Sequence, residues 1–138
     1  MSENNVCGMV WGFPAGEECE FCNLPTKKIL GSTQHWSIIA DEYPVNLGHM
    51  LIVLKRHMAS SVMISGHEAS DLFVAMNMAR AYAREKYKAV GFNIGINEGE
   101  VAGQTVGHLH VHIIPRYEGD VENPRGGIRN FKKAIKSY

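Results

Sequence analysis

A nine-residue run, GHLHVHIIP at residues 107–115, constrains this chain more than any other segment. Its imidazole and apolar side chains alternate one by one, which is the period of an extended strand. His108, His110 and His112 fall on one face; Leu109, Val111 and Ile113 fall on the other. The apolar face asks for a core. The imidazoles then stand in a row, about 7 Å between successive members. Buried polar groups need partners, and surface strands draw on Thr, Lys and Glu instead, so the row reads as chemistry. Pro115 carries no N–H and is expected to end this strand, placed at residues 107–114.

The elements around that strand follow from local pattern. HWSIIAD (35–41) and HMLIVLK (49–55) read as two strands rich in β-branched and aliphatic residues. EYPVNLG (42–48) is a short connection, so antiparallel pairing is expected. Ser65 followed by Glu68 is a capping-box signature, and Leu72, Ala75 or Met76, Ala79 and Tyr82 recur at helical spacing toward Lys88. Asn77, Arg80 and Arg84 take the opposite face. GFNIGIN (91–97) alternates as a third strand, and EGEVAGQ is a loop. Strand, strand, helix, strand, strand predicts an α+β fold, an antiparallel sheet with one long helix packed on it and short helices besides.

The whole chain, 138 residues, suits a single domain, with residues 1–18 loosely structured and 118–138 a C-terminal arm. Fourteen basic and fourteen acidic residues cancel, which disfavours a broad nucleic-acid surface. No basic region followed by an apolar run opens the chain, and Met50–Leu54 is too short to cross a membrane. A cytoplasmic protein without membrane or nucleic-acid partners is expected. Three cysteines make a poor disulfide framework; Cys19 and Cys22 form a C-x-x-C pair, read as a metal knuckle or a redox pair. Cys7 has no assignment.

Two chemistries suit a row of imidazoles. The three could hold a zinc ion that activates water. Alternatively, one neutral imidazole attacks phosphorus directly, since it needs no proton removed first. Gly99, Gly103 and Gly107 flank the strand, with Gln104 and Thr105 close before it; loop amides and an amide side chain can donate to phosphate oxygens. The same glycines would equally serve a tight turn.

The run GINEGEVAGQTVGHLHVHIIPR (95–116) resembles the signature of the histidine triad (HIT) superfamily of nucleotide hydrolases and transferases, H-x-H-x-H followed by two apolar residues. LGHMLIVLKRH (47–57) is similar to the family's second conserved strand, and CEFCNL to the entry segment of many zinc-containing microbial members. The resemblance implies a five-stranded sheet that pairs across a two-fold homodimer. It implies His110 as the nucleophile on the α-phosphorus, with His112 and Gln104 at the phosphate and His49 in support. It further implies Asp41 on the ribose and Asn97, Thr105 and Val106 lining the phosphate pocket of a purine nucleotide or dinucleotide. Cys19, Cys22, His57 and His108 are implied as the ligands of a structural zinc ion; free thiols are the alternative. The implied reaction is cleavage of dinucleoside polyphosphates or nucleoside phosphoramidates. Alternatives are transfer to inorganic phosphate, a metallohydrolase built on all three triad histidines, and a non-catalytic nucleotide sensor. His35 and His67 take no role, and PRGGIR (124–129) is either a basic arm toward substrate or a solvated tail.

Overall fold

HMLIVLK is apolar at nearly every position, which an alternating strand can satisfy only when both of its faces are covered. The computed structural model, which describes residues 18–130, places this run in the middle of a sheet as Met50–Leu54, every residue buried. Cys7, nearly all of the N-terminal segment, and Lys132, Lys133 and Lys136 lie outside the described residues.

The elements are β1 (Ile29–Ser32), β2 (Trp36–Ala40), β3 (Met50–Leu54), α1 (Gly66–Tyr87), β4 (Gly91–Gly95) and β5 (His110–Arg116), with short 3-10 turns between them. The strands form one sheet in the order β1-β2-β3-β5-β4, every neighbouring pair antiparallel. The α+β expectation holds. Edge strand β1 escapes pattern reading, because ILGS is short, half-exposed and bulged against β2.

Pro115 does not end the last strand, which starts later and runs further than expected. Val90 N donates to Arg116 O, so Arg116 faces β4 and Pro115 turns the other way. On that side β3 has already stopped, its last partner being Met50 opposite Ile113. The missing N–H therefore breaks no ladder bond, and the Pro115 carbonyl accepts from Asn46 Nδ2 at 3.0 Å. His108 and Leu109 precede the strand. The third expected strand is shorter, ending at Gly95 rather than Asn97.

Alternation divides the core in two. Trp36, Ile38, Met50, Ile52, Leu54, Val111 and Ile113 pack with Ala75, Met76, Ala79 and Ala83 of α1. Ile39, Leu51 and Val53 face the other way and are covered by Cys19 and Phe21. Each fully buried aliphatic side chain contributes about 1.5–3 kcal/mol, and small alanines let α1 lie close to the sheet. No helix of the described residues is long and apolar enough to cross a membrane.

The predicted capping box is present: Glu68 N donates to Ser65 Oγ, and Ser65 N donates to Glu68 Oε1 at 2.8 Å. Glu68 also takes a two-pronged bond from Arg56, Nε to Oε2 at 2.7 Å and Nη2 to Oε1 at 2.9 Å. The Arg56 guanidinium foremost, with the Ser65 donors, holds the buried Glu68 carboxyl down to about 2 against an ordinary 4.5. A depressed carboxyl stabilises the fold above its unfolded value and loses that contribution as pH falls through its folded one. Glu68→Gln should therefore lower stability by about 2 kcal/mol at pH 7 and flatten the loss of stability between pH 4.5 and about 2. Urea unfolding at a series of pH values reads both effects, and an unchanged acid limb would contradict the assignment.

Candidate functional site

The β3–β5 register sets His112 opposite Leu51 and His110 opposite Val53, on the face away from α1. A cavity of about 370 Å³ opens there. Ile39, Leu51, Leu24 and Val106 give it an apolar side; Asp41, Asn97, Thr105, His110 and His112 give it polar groups. Of the residues expected at the site, these polar five and Val106 line the cavity. Phe21 stands edge-on to His110, ring centroids 5.1 Å apart.

His110 is buried, and burial pushes its pKa down, so the imidazole is neutral near pH 7. Its Nδ1 lies 2.7 Å from the carbonyl of His108. A carbonyl only accepts, so Nδ1 carries the hydrogen and Nε2 keeps a lone pair.

The proton positions on the next two histidines follow the same way. Val45 N lies 3.1 Å from His49 Nδ1 and can only donate, so His49 carries its hydrogen on Nε2. That Nε2 is 3.0 Å from His112 Nδ1 and 3.3 Å from Asp41 Oδ2. His112 Nδ1 is thus an acceptor, and neutral His112 carries its N–H on Nε2. Burial first, then the neighbouring His110 and His49, pushes the His112 pKa down to about 4. Burial also lowers His49, against the opposing pull of Asp41.

The hairpin loop between β2 and β3 delivers these groups. Asp41 N donates to His49 O, closing it, and Asp41 Oδ1 accepts from Tyr43 N. Gly48 sits at φ +80°, and a Cβ there would lie 2.7 Å from Tyr87 Cδ2, so the loop needs glycine at this point.

Gln104 is not among the residues lining the cavity. It is buried, its Oε1 accepting from Gly99 N at 2.9 Å and its Nε2 donating to Ala59 O and Val106 O at 3.0 Å each. Its amide closes the 99–106 loop on itself, with Gly99 and Gly103 at positive φ. In this structure the Gln104 amide is engaged in loop closure; sequence spacing brings Gln104 near the triad but cannot tell an inward amide from an outward one.

The triad histidines do not converge on one point. His108 turns to a second cluster with Cys19, Cys22 and His57, whose ligand atoms all lie within 4.8 Å of one another. Cys19 Sγ and Cys22 Sγ are 3.4 and 3.5 Å from His108 Nδ1; Cys22 Sγ and His108 Nδ1 are each 3.2 Å from His57 Nδ1. A tetrahedral ion with bonds of about 2.0–2.3 Å separates its ligand atoms by about 3.3–3.8 Å. His108 Nε2 donates to Leu54 O, which leaves the Nδ1 lone pair facing the other three groups. His57 Nε2 is buried without a hydrogen-bond partner among the described residues. Two thiols and two imidazoles at these spacings fit a zinc ion. Asp41, His49 and His112 are also grouped closely enough for a metal, but the His49 nitrogen in that group already bears a proton and has no lone pair to give.

His35 lies outside both clusters, its backbone tied to Asp71 and Lys55. His67 is exposed in the first turn of α1. Within the arm, Gly127–Arg129 forms a 3-10 turn against β4, Ile128 reaching Gly95; none of the arm's described residues lines the cavity.

Residues 24–119 match the family model described as HIT domain. The chain is similar to the nitrilase and fragile histidine triad fusion protein NitFhit of Caenorhabditis elegans, 34% identical over 71% of this chain and 22% of that protein. The crystal structure of NitFhit superposes with a TM-score of 0.69, at 30% identity over 79% of this chain and 27% of that one. Bis(5'-adenosyl)-triphosphatase of Saccharomyces cerevisiae is 32% identical over 69% of this chain and 47% of its own length. The chain thus spans less than half of each of these two curated relatives. A Zn-bound histidine triad family protein from Mycobacterium smegmatis superposes with a TM-score of 0.66, at 34% identity over 75% of this chain and 78% of that one.

The proton assignments have a direct readout. The His112 ring should titrate in NMR with a midpoint near 4 rather than the ordinary 6.5. Asp41→Asn should move that midpoint lower still, since the carboxylate favours the imidazolium. Linkage has the same sign: the contribution of neutral His112 is complete above pH 6.5 and shrinks as pH falls toward 4. A midpoint above 6.5 would contradict the buried, proton-accepting His112.

Proposed function

Because the chain belongs to the HIT domain family, we propose that it is a nucleotide hydrolase. In this reading it cleaves dinucleoside polyphosphates or nucleoside phosphoramidates at the α-phosphorus through a nucleotidyl-histidine intermediate. The observation that carries the reading is the His110 proton: Nδ1 is committed to the His108 carbonyl, so Nε2 is a neutral, unprotonated nucleophile in a cavity wall. The name of the yeast relative supports the substrate class.

In the first step the His110 Nε2 lone pair forms an N–P bond as the P–O or P–N bond to the leaving group breaks, and that bond's electron pair departs with the leaving group. The imidazole becomes cationic, and the His108 carbonyl at Nδ1 stabilises it. His112 Nε2–H donates to a phosphate oxygen, held in that tautomer by His49. A phosphate leaving group needs no proton, whereas an amine leaving group takes one from solvent as the P–N bond breaks. Water then attacks phosphorus, the N–P bond breaks, its pair returns to Nε2, and the water's proton leaves to solvent. Asp41 accepts from ribose hydroxyls, Ile39 and Leu51 receive the base, and Asn97 and Thr105 contact the phosphates.

Cys19, Cys22, His57 and His108 would hold a zinc ion, with the fit of the four donors and the Zn-bound relative in support. When bound, zinc supplies a structural crosslink between the 18–28 segment and the entry to β5. Phe21 would then be kept against His110. The protein is further proposed to be a cytoplasmic homodimer; edge strand β4 and exposed Phe73 and Val74 on α1 leave surface for a second copy.

His110→Ala should abolish turnover of diadenosine triphosphate while leaving its binding within about threefold, measured by product chromatography and calorimetry. Full activity in that variant would sink the mechanism. Protein prepared with zinc in the medium should contain about one ion per chain, and Cys22→Ser should lower both metal content and melting temperature. Metal-free, equally stable wild-type protein would overturn the zinc reading, and retained metal in His110→Ala would separate it from the reacting site.

A further inference from the structure

His49 and His112 have defined protons only because one backbone amide, Val45 N, points at His49 Nδ1. Val45 itself is exposed. What fixes the amide lies outside the cavity. Asn46 Nδ2 donates to Asp120 Oδ2 at 2.7 Å and to Pro115 O at 3.0 Å, while Asn46 O accepts from His49 N at 3.1 Å. Asp120 is in turn held by Arg116, Nε to Oδ2 and Nη2 to Oδ1 at 2.8 Å each, and Arg116 Nη1 reaches Asn93 Oδ1 at 2.6 Å. A second anchor runs from Tyr117 Oη to the Leu47 carbonyl at 2.7 Å. The 116–120 turn thus grips the hairpin loop at two consecutive residues, next to the amide that sets the His49 tautomer.

We propose that Asn46 and Asp120 are positioning residues, which fix the Val45 amide on His49 and through His49 present the His112 N–H to the phosphate. This rests on the cavity being a nucleotide-cleaving site. Neither residue lines the cavity. Their charge and hydrogen bonds act through the loop, as an outer shell does around a reacting group.

The test is Asn46→Asp in the full chain, which keeps the shape, deletes the donor and sets a carboxylate against Asp120. Long-range 15N–1H spectra read the ring tautomers without any substrate. Wild type should show His49 purely as the Nε2–H form, and the variant should show both forms. With diadenosine triphosphate, kcat should fall about tenfold and KM change less than about threefold. If Asn46→Asp does not fold, Asp120→Asn, which keeps the shape and removes the charge that holds Asn46 Nδ2, carries the same measurement with a smaller fall in kcat. An unchanged His49 tautomer in the folded variant overturns the proposal, whatever the rate does. Wild-type protein that cleaves no member of the substrate class overturns the functional reading instead, and the tautomer spectra still decide the positioning role.

Discussion

The pairing of β3 with β5 is the constraint on which the rest depends. Its register sets Val53 against His110 and Leu51 against His112. Because side chains alternate, the same register sends Ile52, Val111 and Ile113 under α1. A slip of one residue would bury two imidazoles beneath the helix and expose the core. Fully buried Ile52, Leu54, Leu109 and Ile113 make that slip costly, so hydrophobic packing on one face fixes the chemistry on the other. The β2–β3 hairpin completes the arrangement, since its closing pair is Asp41 and His49.

Burial then does the second part of the work. Imidazoles removed from water favour the neutral form, which offers one donor and one acceptor. The partners are groups with no choice of role: the His108 carbonyl for His110, the Val45 amide for His49, the Leu54 carbonyl for His108. Single-role backbone groups therefore place the protons of His110, His49 and His108, and His49 passes its assignment on to His112. His108 shows the economy of this layout, its ring facing the thiols while its carbonyl orients the neighbouring reacting ring. One peptide unit connects the cysteine cluster to the cavity.

Much of the fold was legible in the chain because it is written in local periodicity. The capping box at Ser65 and Glu68 and the apolar run of β3 each led to the right element. Local pattern failed where the deciding contact is distant. β1 has too weak a pattern to announce itself and exists because β2 offers it an edge. Pro115 reads as a stop, yet it is tolerated because β3 ends beside it. Arg56 carries no signal that it will neutralise the cap glutamate twelve positions on.

The sequence by itself determined the two-faced histidine strand, the helix and the chemical kinds of group available, since alternation and capping act within a few residues. Spacing could not say that the triad would divide, with His108 joining cysteines 86 and 89 positions away while His110 and His112 face the cavity. Nor could it say that Gln104 would be consumed in closing its own loop. The grouping of Cys19, Cys22, His57 and His108 was implied by the family resemblance of the sequence and not by spacing, whereas the tautomers and the clamp of Asn46 by Asp120 belong to the tertiary structure alone. The reason is that each depends on which single donor or acceptor a distant strand or turn brings within 3 Å or so of a buried ring, and chain order does not encode that distance.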